Sequence, residues 1–248
     1  AQQSFAVAKG DQAIVFTSTA PSGAKVGGST YEVAATGGGS GNPVTFTIVP
    51  SASSVCSIAG STVSFTSVGT CTVNANQAGN ANYEPAAQVQ QSFAVAKGDQ
   101  TIGFGALADK RFDESLVTVA ATATSGLVVT FSSVTPAVCS VSGASVSFLS
   151  VGICTVDASQ AGSSNWNAAP QVQQSFQVTK GNQVISFAAL ADKRLDESLT
   201  VVATASSGLT VSFTSATSGV CSVSGTSVTL VSVGICTVDA SQAGSSNW

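Results

Sequence analysis

The sequence predicts an all-β protein built from tandem immunoglobulin-like β-sandwich domains of about seven strands each. The first observation is repetition: the motif Gln-Gln-Ser-Phe begins at Gln2, Gln90 and Gln173, so the 248 residues carry a unit of about 83 residues in tandem. The second is that each unit contains short segments rich in Val, Thr and Phe, separated by Gly, Ser, Asn and Pro. The third is that no segment combines an apolar period of 3.6 residues with helix caps.

The middle unit shows the expected strands most clearly. Its second strand alternates well, with Val117 and Val119 on one face and Thr118 and Thr122 on the other. The seven predicted strands are Gln100–Leu107, Ser115–Thr124, Val128–Val134, Val138–Val141, Ser145–Leu149, Ile153–Ser159 and Val172–Thr179.

The repeat frame assigns a domain to each part of the chain. Residues 1–10 match the last strand of a unit, 11–97 form repeat 1, 98–180 form repeat 2, and 181–248 form repeat 3 without a last strand. Two explanations fit the separate strand at the start and the missing strand at the end. The chain is a segment of a longer repeat protein, or its repeat unit is circularly offset. The connectors at Lys97-Gly98 and Lys180-Gly181 are too short to be flexible linkers, so we expect the domains to stack end to end as a rod.

Six cysteines recur at fixed positions in the repeats. Within a repeat the two cysteines are 15 residues apart, and both fall on the strand face expected to point into the core. A disulfide that closes such a loop stabilises a small domain by about 3 kcal/mol in the chain-entropy model. Metal or redox use is the alternative, but the spacing is not that of a zinc site. Disulfides indicate an oxidising, extracellular or cell-surface setting; the pairs are Cys56 with Cys71, Cys139 with Cys154, and Cys221 with Cys236.

Aromatic residues are expected at the junctions between repeats. If the strands alternate in direction, the first loop of one repeat faces the sixth loop of the next. This places the loop Pro21–Thr30 opposite Trp166, and the charged loop that contains Arg111 opposite Trp248, where the guanidinium could stack on the indole. The alternative is that Trp166 and Trp248 are platforms for sugar binding, but single aromatics are a weak signal. The predicted junction residues are Lys97, Gly98, Lys180, Gly181, Arg111, Trp166 and Trp248.

Two equivalent charged loops, Asp109–Ser115 and Asp192–Ser198, hold half of the charged residues. Their carboxylates could bind calcium, because oxygen ligands suit this ion. Lys and Arg lie between the acids, however, and no Asp-X-Asp-X-Asp pattern is present, so a salt-bridged or solvated loop is the simpler interpretation. No cofactor is otherwise predicted; the calcium candidates are Asp109, Asp113, Glu114, Asp192, Asp196 and Glu197.

Composition excludes several function classes. Only 8% of the residues are charged, there is no His, and the net charge is −4. Without His, neither a Ser-His-Asp nor a Cys-His arrangement can form, so an enzyme is not expected. Without a basic patch, nucleic acid is not an expected partner. No apolar run approaches the roughly 20 residues of a membrane-spanning helix.

The segment Ser54–Val73 resembles the core of bacterial Ig-like (Big) repeats, and so do Val138–Val156 and Val220–Val238. The family shows a short strand, a Gly turn, a second strand and then Gly-Thr-X-Thr-Ile/Val. Here Cys stands where the family has small residues. The resemblance implies a spacer in the stalk of an invasin-like or intimin-like surface adhesin or another fibrous surface protein.

Three functions remain open from the sequence. The first is a non-catalytic extracellular stalk or fibre segment. The second is a self-assembling filament subunit, in which residues 1–9 of one chain complete the sandwich of another by strand addition. The third is a carbohydrate-binding module that uses Trp166. The expected partners are copies of the same repeat, in a homopolymer or a lateral bundle, since near-neutral strand faces repel each other little.

Overall fold

The structure, a computed structural model, describes residues 1–114 and 116–248. Within these residues the chain consists of short β-strands joined by turns, and its helical structure is one 3-10 turn at Pro50–Ala52. The predicted all-β class is therefore confirmed. The predicted start of a strand at Ser115 lies outside the described residues.

Repeat 1 contains eight strands that form three small sheets. The sheet orders are β1–β3, β2–β6–β5 and β4–β7–β8. Alternating burial marks the core face, as in β7, where Cys71, Val73 and Ala75 have no exposed surface. The strands are β1 (Val15–Phe16), β2 (Tyr31–Glu32), β3 (Ala35–Thr36), β4 (Val44–Ile48), β5 (Cys56–Ala59), β6 (Thr62–Phe65), β7 (Gly69–Gln77) and β8 (Val89–Val95).

Repeat 2 repeats this arrangement with one additional strand. The sheet β10–β17–β16–β13 lies in the place of β4–β7–β8, and β11–β15–β14 lies in the place of β2–β6–β5. The strands are β9 (Ile102–Phe104), β10 (Lys110–Arg111), β11 (Val117–Thr118), β12 (Ala121–Ala123), β13 (Thr130–Ser133), β14 (Cys139–Ser142), β15 (Ser145–Phe148), β16 (Gly152–Ser159) and β17 (Val172–Thr179).

Repeat 3 contains seven described strands, and its second sheet is smaller. β21 and β24 pair with each other, and no described strand takes the position of β8 or β17. The strands are β18 (Ile185–Phe187), β19 (Leu199–Thr200), β20 (Ala203–Ala205), β21 (Ser212–Ser215), β22 (Cys221–Ser224), β23 (Ser227–Leu230) and β24 (Val238–Ser241).

Two features of repeat 2 differ from the predicted strands. The predicted strand Ser115–Thr124 is interrupted: β11 pairs with β15, whereas β12 pairs with β9 in another sheet. In addition, β10 lies in the charged loop and pairs parallel with the end of β17. Alternation of polarity identifies the buried side chains but does not identify the sheet that each half of a strand joins.

The described residues form two compact units. One comprises Ala1–Gly103, Thr122–Val129 and Ser159–Gln171, and the other comprises Phe104–Ala121, Thr130–Ala158 and Val172–Trp248. The division therefore passes through repeat 2 and leaves one repeat junction inside each unit. The repeat boundaries themselves stay a sequence-based prediction. Residues 1–9 are exposed and lie outside the described strands.

Candidate functional site

The connector between repeats 1 and 2 is fixed by backbone pairing. Gly98 N–H donates to Asn165 O at 2.9 Å, and Asn167 N–H donates to Gly98 O at 2.8 Å. This places Gly98 and Trp166 in a parallel β-bridge. Lys97 Nζ donates to Ser163 O at 2.6 Å, so the residue before the glycine is held as well. Three groups of the connector are thus bound to the turn that carries Trp166.

The Trp166 ring lies against two glycines at this junction. A Cβ atom on Gly98 would lie 2.7 Å from Trp166 Cζ3, and one on Gly27 would lie 2.7 Å from Trp166 Cη2. Gly27 also has φ +67°, a left-handed conformation that favours glycine. Trp166 packs on the core of repeat 1, although it belongs to repeat 2. The indole therefore fits only because Gly27 in repeat 1 and Gly98 in the connector carry no side chains.

Polar contacts surround the Trp166 ring. Val68 N–H donates to Asn165 Oδ1 at 3.0 Å. Lys25 Nζ lies 2.6 Å from Asp99 Oδ2, and Asn167 Nδ2 donates to Asp99 Oδ1 at 2.8 Å. The pKa of Asp99 is held below its usual value, mainly by the hydrogen bond from Lys25 and to a smaller extent by that from Asn167. The loop of repeat 1 is thus joined to the start of repeat 2 by charge as well as by packing.

The junction between repeats 2 and 3 has the first of these backbone hydrogen bonds and an equivalent lysine contact. Gly181 N–H donates to Asn247 O at 2.9 Å. Lys180 Nζ donates to Ser245 O at 2.6 Å and to Trp248 O at 3.1 Å. Val151 N–H donates to Asn247 Oδ1 at 3.1 Å, as Val68 does to Asn165 at the other junction. The pattern recurs because Ser-Ser-Asn-Trp occurs in both repeats.

The ring that contacts Trp248 is Phe112, not the guanidinium of Arg111. The two ring centroids are 6.0 Å apart and the planes are nearly perpendicular, at 83°. Arg111 instead pairs with Asp113 at 3.0 Å, and this hydrogen bond lowers the pKa of Asp113 and raises that of Arg111. The guanidinium is therefore part of a salt-bridged loop, the interpretation favoured from the sequence, and the alternative of stacking on the indole does not form.

A third aromatic residue has an equivalent position near the start of the chain. Gly10 N–H donates to Asn82 O at 2.9 Å, and Gly10 and Tyr83 form a parallel bridge. A Cβ atom on Gly10 would lie 3.2 Å from Tyr83 Cε1. An aromatic residue therefore covers the connector glycine in all three repeats. Recurrence in the sequence predicted the aromatic and the glycine but not the asparagines or Phe112; the repeated Asn-Trp pair was the available signal for the asparagines.

The calcium candidates are engaged with neighbouring groups. Asp109 Oδ1 accepts Gln177 N–H at 2.8 Å. Glu114 pairs with Lys110 at 3.2 Å, and its pKa is lowered, first by the Arg111 N–H and then by Lys110. In repeat 3, Arg194 lies 3.7 Å from Asp196 and donates its backbone N–H to Glu197.

The acidic side chains of the two charged loops are not gathered into one cluster. No cluster of three or more carboxylate or thiol side chains that could hold a metal ion is found among residues 1–114 and 116–248. Asp192, the remaining candidate, is exposed. That no cofactor is bound, with calcium at these loops as the weaker alternative, stays a prediction.

The cysteines of each repeat are within bonding distance of each other. The Sγ–Sγ distances are 2.00 Å for Cys56–Cys71, 1.99 Å for Cys139–Cys154 and 1.94 Å for Cys221–Cys236. In repeats 1 and 2 the bridge joins the two sheets, from β5 to β7 and from β14 to β16. The four cysteines of these repeats are almost fully buried, which places the bridges in the core. They are therefore structural, and they indicate an oxidising compartment.

The comparisons with known proteins give weak similarities. No family model matches the chain, and no curated protein matches its sequence. Among solved structures, Drosophila N-cadherin EC1-4 is 10% identical with a TM-score of 0.29, over 89% of this chain and 67% of that chain.

Two further solved structures are similar to the same degree. The human desmocollin-1 ectodomain is 10% identical with a TM-score of 0.29, over 89% of this chain and 54% of that chain. The surface layer protein SbsC, domains 1–6, is 12% identical with a TM-score of 0.27, over 95% of this chain and 40% of that chain. Within the described part of this chain, no helix is long and apolar enough to cross a membrane.

Proposed function

We propose that this chain is a non-catalytic spacer segment of an extracellular protein, in the stalk of a bacterial surface adhesin or fibre. The observation that carries the proposal is the repeated junction, in which an aromatic ring covers the connector glycine and the neighbouring asparagine binds the preceding repeat. A protein that only needs separate domains can use a flexible linker. Fixed junctions are useful where the distance and direction between domains matter.

The contacts at each junction resist bending in several ways. At the first junction, movement of repeat 2 against repeat 1 would break the backbone pair at Gly98, separate Trp166 from Gly27 and open the ion pair between Lys25 and Asp99. The ion pair is exposed and contributes little by itself. The partly buried ring and the backbone hydrogen bonds therefore provide most of the resistance.

The disulfides fit a segment that carries tension. In repeats 1 and 2 each bridge joins the two sheets and closes a loop with a sequence separation of 15 residues. A loop closed in this way cannot extend when the domain unfolds. Pulling on the chain would release less length per repeat, and the domain would refold from a smaller ensemble.

Single-molecule force spectroscopy on the chain tests the spacer proposal. We expect repeats 1 and 2 to unfold in separate steps. Each step should lengthen by about 45–50 Å after reduction, because about 15 residues of up to 3.6 Å each are freed and the short Cα–Cα distance across the bridge is lost. Unfolding without resolvable steps at low force, in oxidised and reduced protein alike, would contradict a tension-bearing role.

A further inference from the structure

The residue that follows the connector glycine differs between the two junctions. It is Asp99 at the first junction and Asn182 at the second, although the lysine and the glycine before it are the same. Asp99 reaches back to repeat 1, where its Oδ2 lies 2.6 Å from Lys25 Nζ. An asparagine at the second junction cannot form such an ion pair. The loop that each of these residues faces accounts for the difference.

The loops that face the two connectors pair with the chain at the same place. In repeat 1, Val26 N–H donates to Ala96 O at 3.1 Å, and in repeat 2, Phe112 N–H donates to Thr179 O at 2.9 Å. Ala96 and Thr179 each precede a connector lysine, so the two loops can be aligned residue by residue. The equivalent residues on either side are Lys25 with Arg111, and Gly27 with Asp113.

Both loops carry a cation at this position, but the acid two residues later is present only in repeat 2. Arg111 Nε lies 3.0 Å from Asp113 Oδ1, and the Asp113 side chain is 22% exposed. In repeat 1 the equivalent of Asp113 is Gly27, and Lys25 is the single charged residue of the loop 21–30. Lys25 therefore pairs with Asp99 of the connector. Either the loop or the connector supplies the acid at a junction, and the two do not supply it together.

A carboxylate at position 182 would lie against the acid of the charged loop. A Cβ atom on Gly181 would lie 3.0 Å from Asp113 N, so the loop contacts the connector. The Asn182 N–H is hydrogen-bonded to Asp113. Together with Arg111, the main cause, and the N–H of Asp113 itself, it holds the pKa of Asp113 below its usual value.

The orientation of Asp99 shows where such a carboxylate would point. Asp99 is directed at Lys25, the equivalent of Arg111. We therefore expect an aspartate at position 182 to be directed at Arg111, where it would share one guanidinium with Asp113. Like charges at this separation repel each other, and the neutral side chain of Asn182 avoids the repulsion.

The turn that carries the tryptophan does not distinguish repeat 2 from repeat 3. Ser150–Trp166 is identical to Ser232–Trp248, so the two repeats present the same turn to the repeat before them. Neighbouring repeats that are nearly identical are prone to pair wrongly, within a chain or between copies. An unfavourable charge contact in the wrong pairing is a common source of specificity.

We propose that the residue after the connector glycine is a specificity position, which matches each repeat to the loop of the repeat before it. Asp99 fits a preceding loop whose cation has no acid two residues later, and Asn182 fits a preceding loop that carries its own acid. The proposal rests on the fixed junctions of the spacer proposal. It adds to them a rule for which repeats, in one chain or in two copies, can be neighbours.

Amide hydrogen exchange of the full chain, followed residue by residue by NMR, tests the match at the second junction. The reporters are Gly181 N–H, which donates to Asn247 O, and Val151 N–H, which donates to Asn247 Oδ1. Asn182→Asp introduces the mismatch, and Asn182→Ala is the matched control without a charge. The double variant Asp113→Asn with Asn182→Asp moves the acid from the loop to the connector and so rebuilds the charge arrangement of the first junction.

We expect Asn182→Asp to accelerate exchange of both reporters by about 3- to 10-fold at low salt, the range for like charges roughly 5–6 Å apart near a surface. In about 1 M NaCl, where the Debye length is about 3 Å, most of this acceleration should be lost. Asn182→Ala and the double variant should both exchange within about 2-fold of the unmodified chain. The buried core amides of Val146 and Val156 should keep their protection throughout, which shows that repeat 2 stays folded.

Asp99→Asn is the corresponding test at the first junction. It removes the acid that pairs with Lys25, so the junction should open more often. The reporters are Gly98 N–H, which donates to Asn165 O, and Val68 N–H, which donates to Asn165 Oδ1. Their exchange should accelerate by up to about 5-fold, the usual effect of losing one exposed ion pair.

Two results would overturn the charge match and leave the spacer role intact. One is an Asn182→Asp chain whose reporters exchange at low salt as slowly as those of Asn182→Ala. The other is a double variant that exchanges as fast as Asn182→Asp alone, because moving the acid would then restore nothing. Fast exchange of the same amides in the unmodified chain would instead contradict the fixed junction, on which both the spacer role and the charge match rest.

Discussion

At the scale of single residues, position 98 requires glycine for a reason that the neighbouring sequence does not show. A Cβ atom at Gly98 would lie 2.7 Å from the Trp166 ring and closer still to Val26 O. Two rigid groups occupy the space, so a side chain would displace the indole or the loop of repeat 1. Gly105 provides a comparison, because nothing lies within 4 Å of a Cβ atom built there.

We therefore predict that Gly98→Ala destabilises the first junction, by about 1–3 kcal/mol, the usual cost of overpacking. Gly105→Ala should change the stability by less than about 0.5 kcal/mol, as most exposed substitutions do. Urea unfolding followed by Trp fluorescence measures both. Equal effects for the two variants would show that Gly98 is not a packing position.

Asp99 gives the junction a dependence on pH. Its pKa is lowered in the folded chain, chiefly by the hydrogen bond from Lys25, so its contribution is complete above the unfolded value of about 3.9. As the pH falls through the lowered pKa, the contribution is lost. A carboxyl titration followed by NMR should give a midpoint for Asp99 below about 3.9, and Lys25→Met should move it upward. A midpoint that Lys25→Met does not change would contradict the assigned cause.

At the scale of strands and loops, the disulfide of repeat 2 has the largest expected effect. Reduction should cost about 3 kcal/mol and should accelerate hydrogen exchange of core amides such as Val146 and Val156 by about 100-fold. Ser140→Ala, beside Cys139 but exposed, is the control and should leave exchange nearly unchanged. Exchange rates that are equal in oxidised and reduced protein would mean that the bridge does not stabilise the repeat.

The strands were predicted well where one alternating segment pairs along its whole length. Val172–Thr179 has the bounds expected from the sequence, because its alternation continues without a break against β16. The second strand of repeat 2 was predicted as one element but is split, with Val119 N–H bound to Ala144 O between the halves. The partner sheet is set by tertiary packing, which a local pattern does not contain.

The junction was predicted only in part for a similar reason. The aromatic, lysine and glycine residues could be found from their recurrence. Phe112 could not, because repeat 3 has Leu195 at the equivalent position and repeat 1 has a different loop. The parallel pairing of β10 with β17 could not be found either, since Lys110 and Arg111 show no apolar alternation and form a strand only because a partner edge is adjacent.

At the scale of the whole molecule, the same set of contacts recurs where one repeat meets the next. Each repeat presents an aromatic residue that covers the connector glycine, and asparagine side chains reach back to Val68 and Val151 of the preceding repeats. In a repeat protein each domain contacts only its neighbours. The stability of the chain is therefore approximately the sum of the stabilities of the repeats and of the junctions between them. A spacer function requires that each junction holds one geometry.

The most direct test measures that geometry at the first junction. Spin labels attached through non-cysteine chemistry at the exposed residues Ser57 and Val128, which belong to the same compact unit, report the distance between repeat 1 and the adjoining end of repeat 2. We predict one narrow distance distribution. Trp166→Ala should broaden it, whereas Trp248→Ala, at the other junction, should not. A broad distribution in the unmodified chain would contradict a fixed junction and, with it, the spacer function.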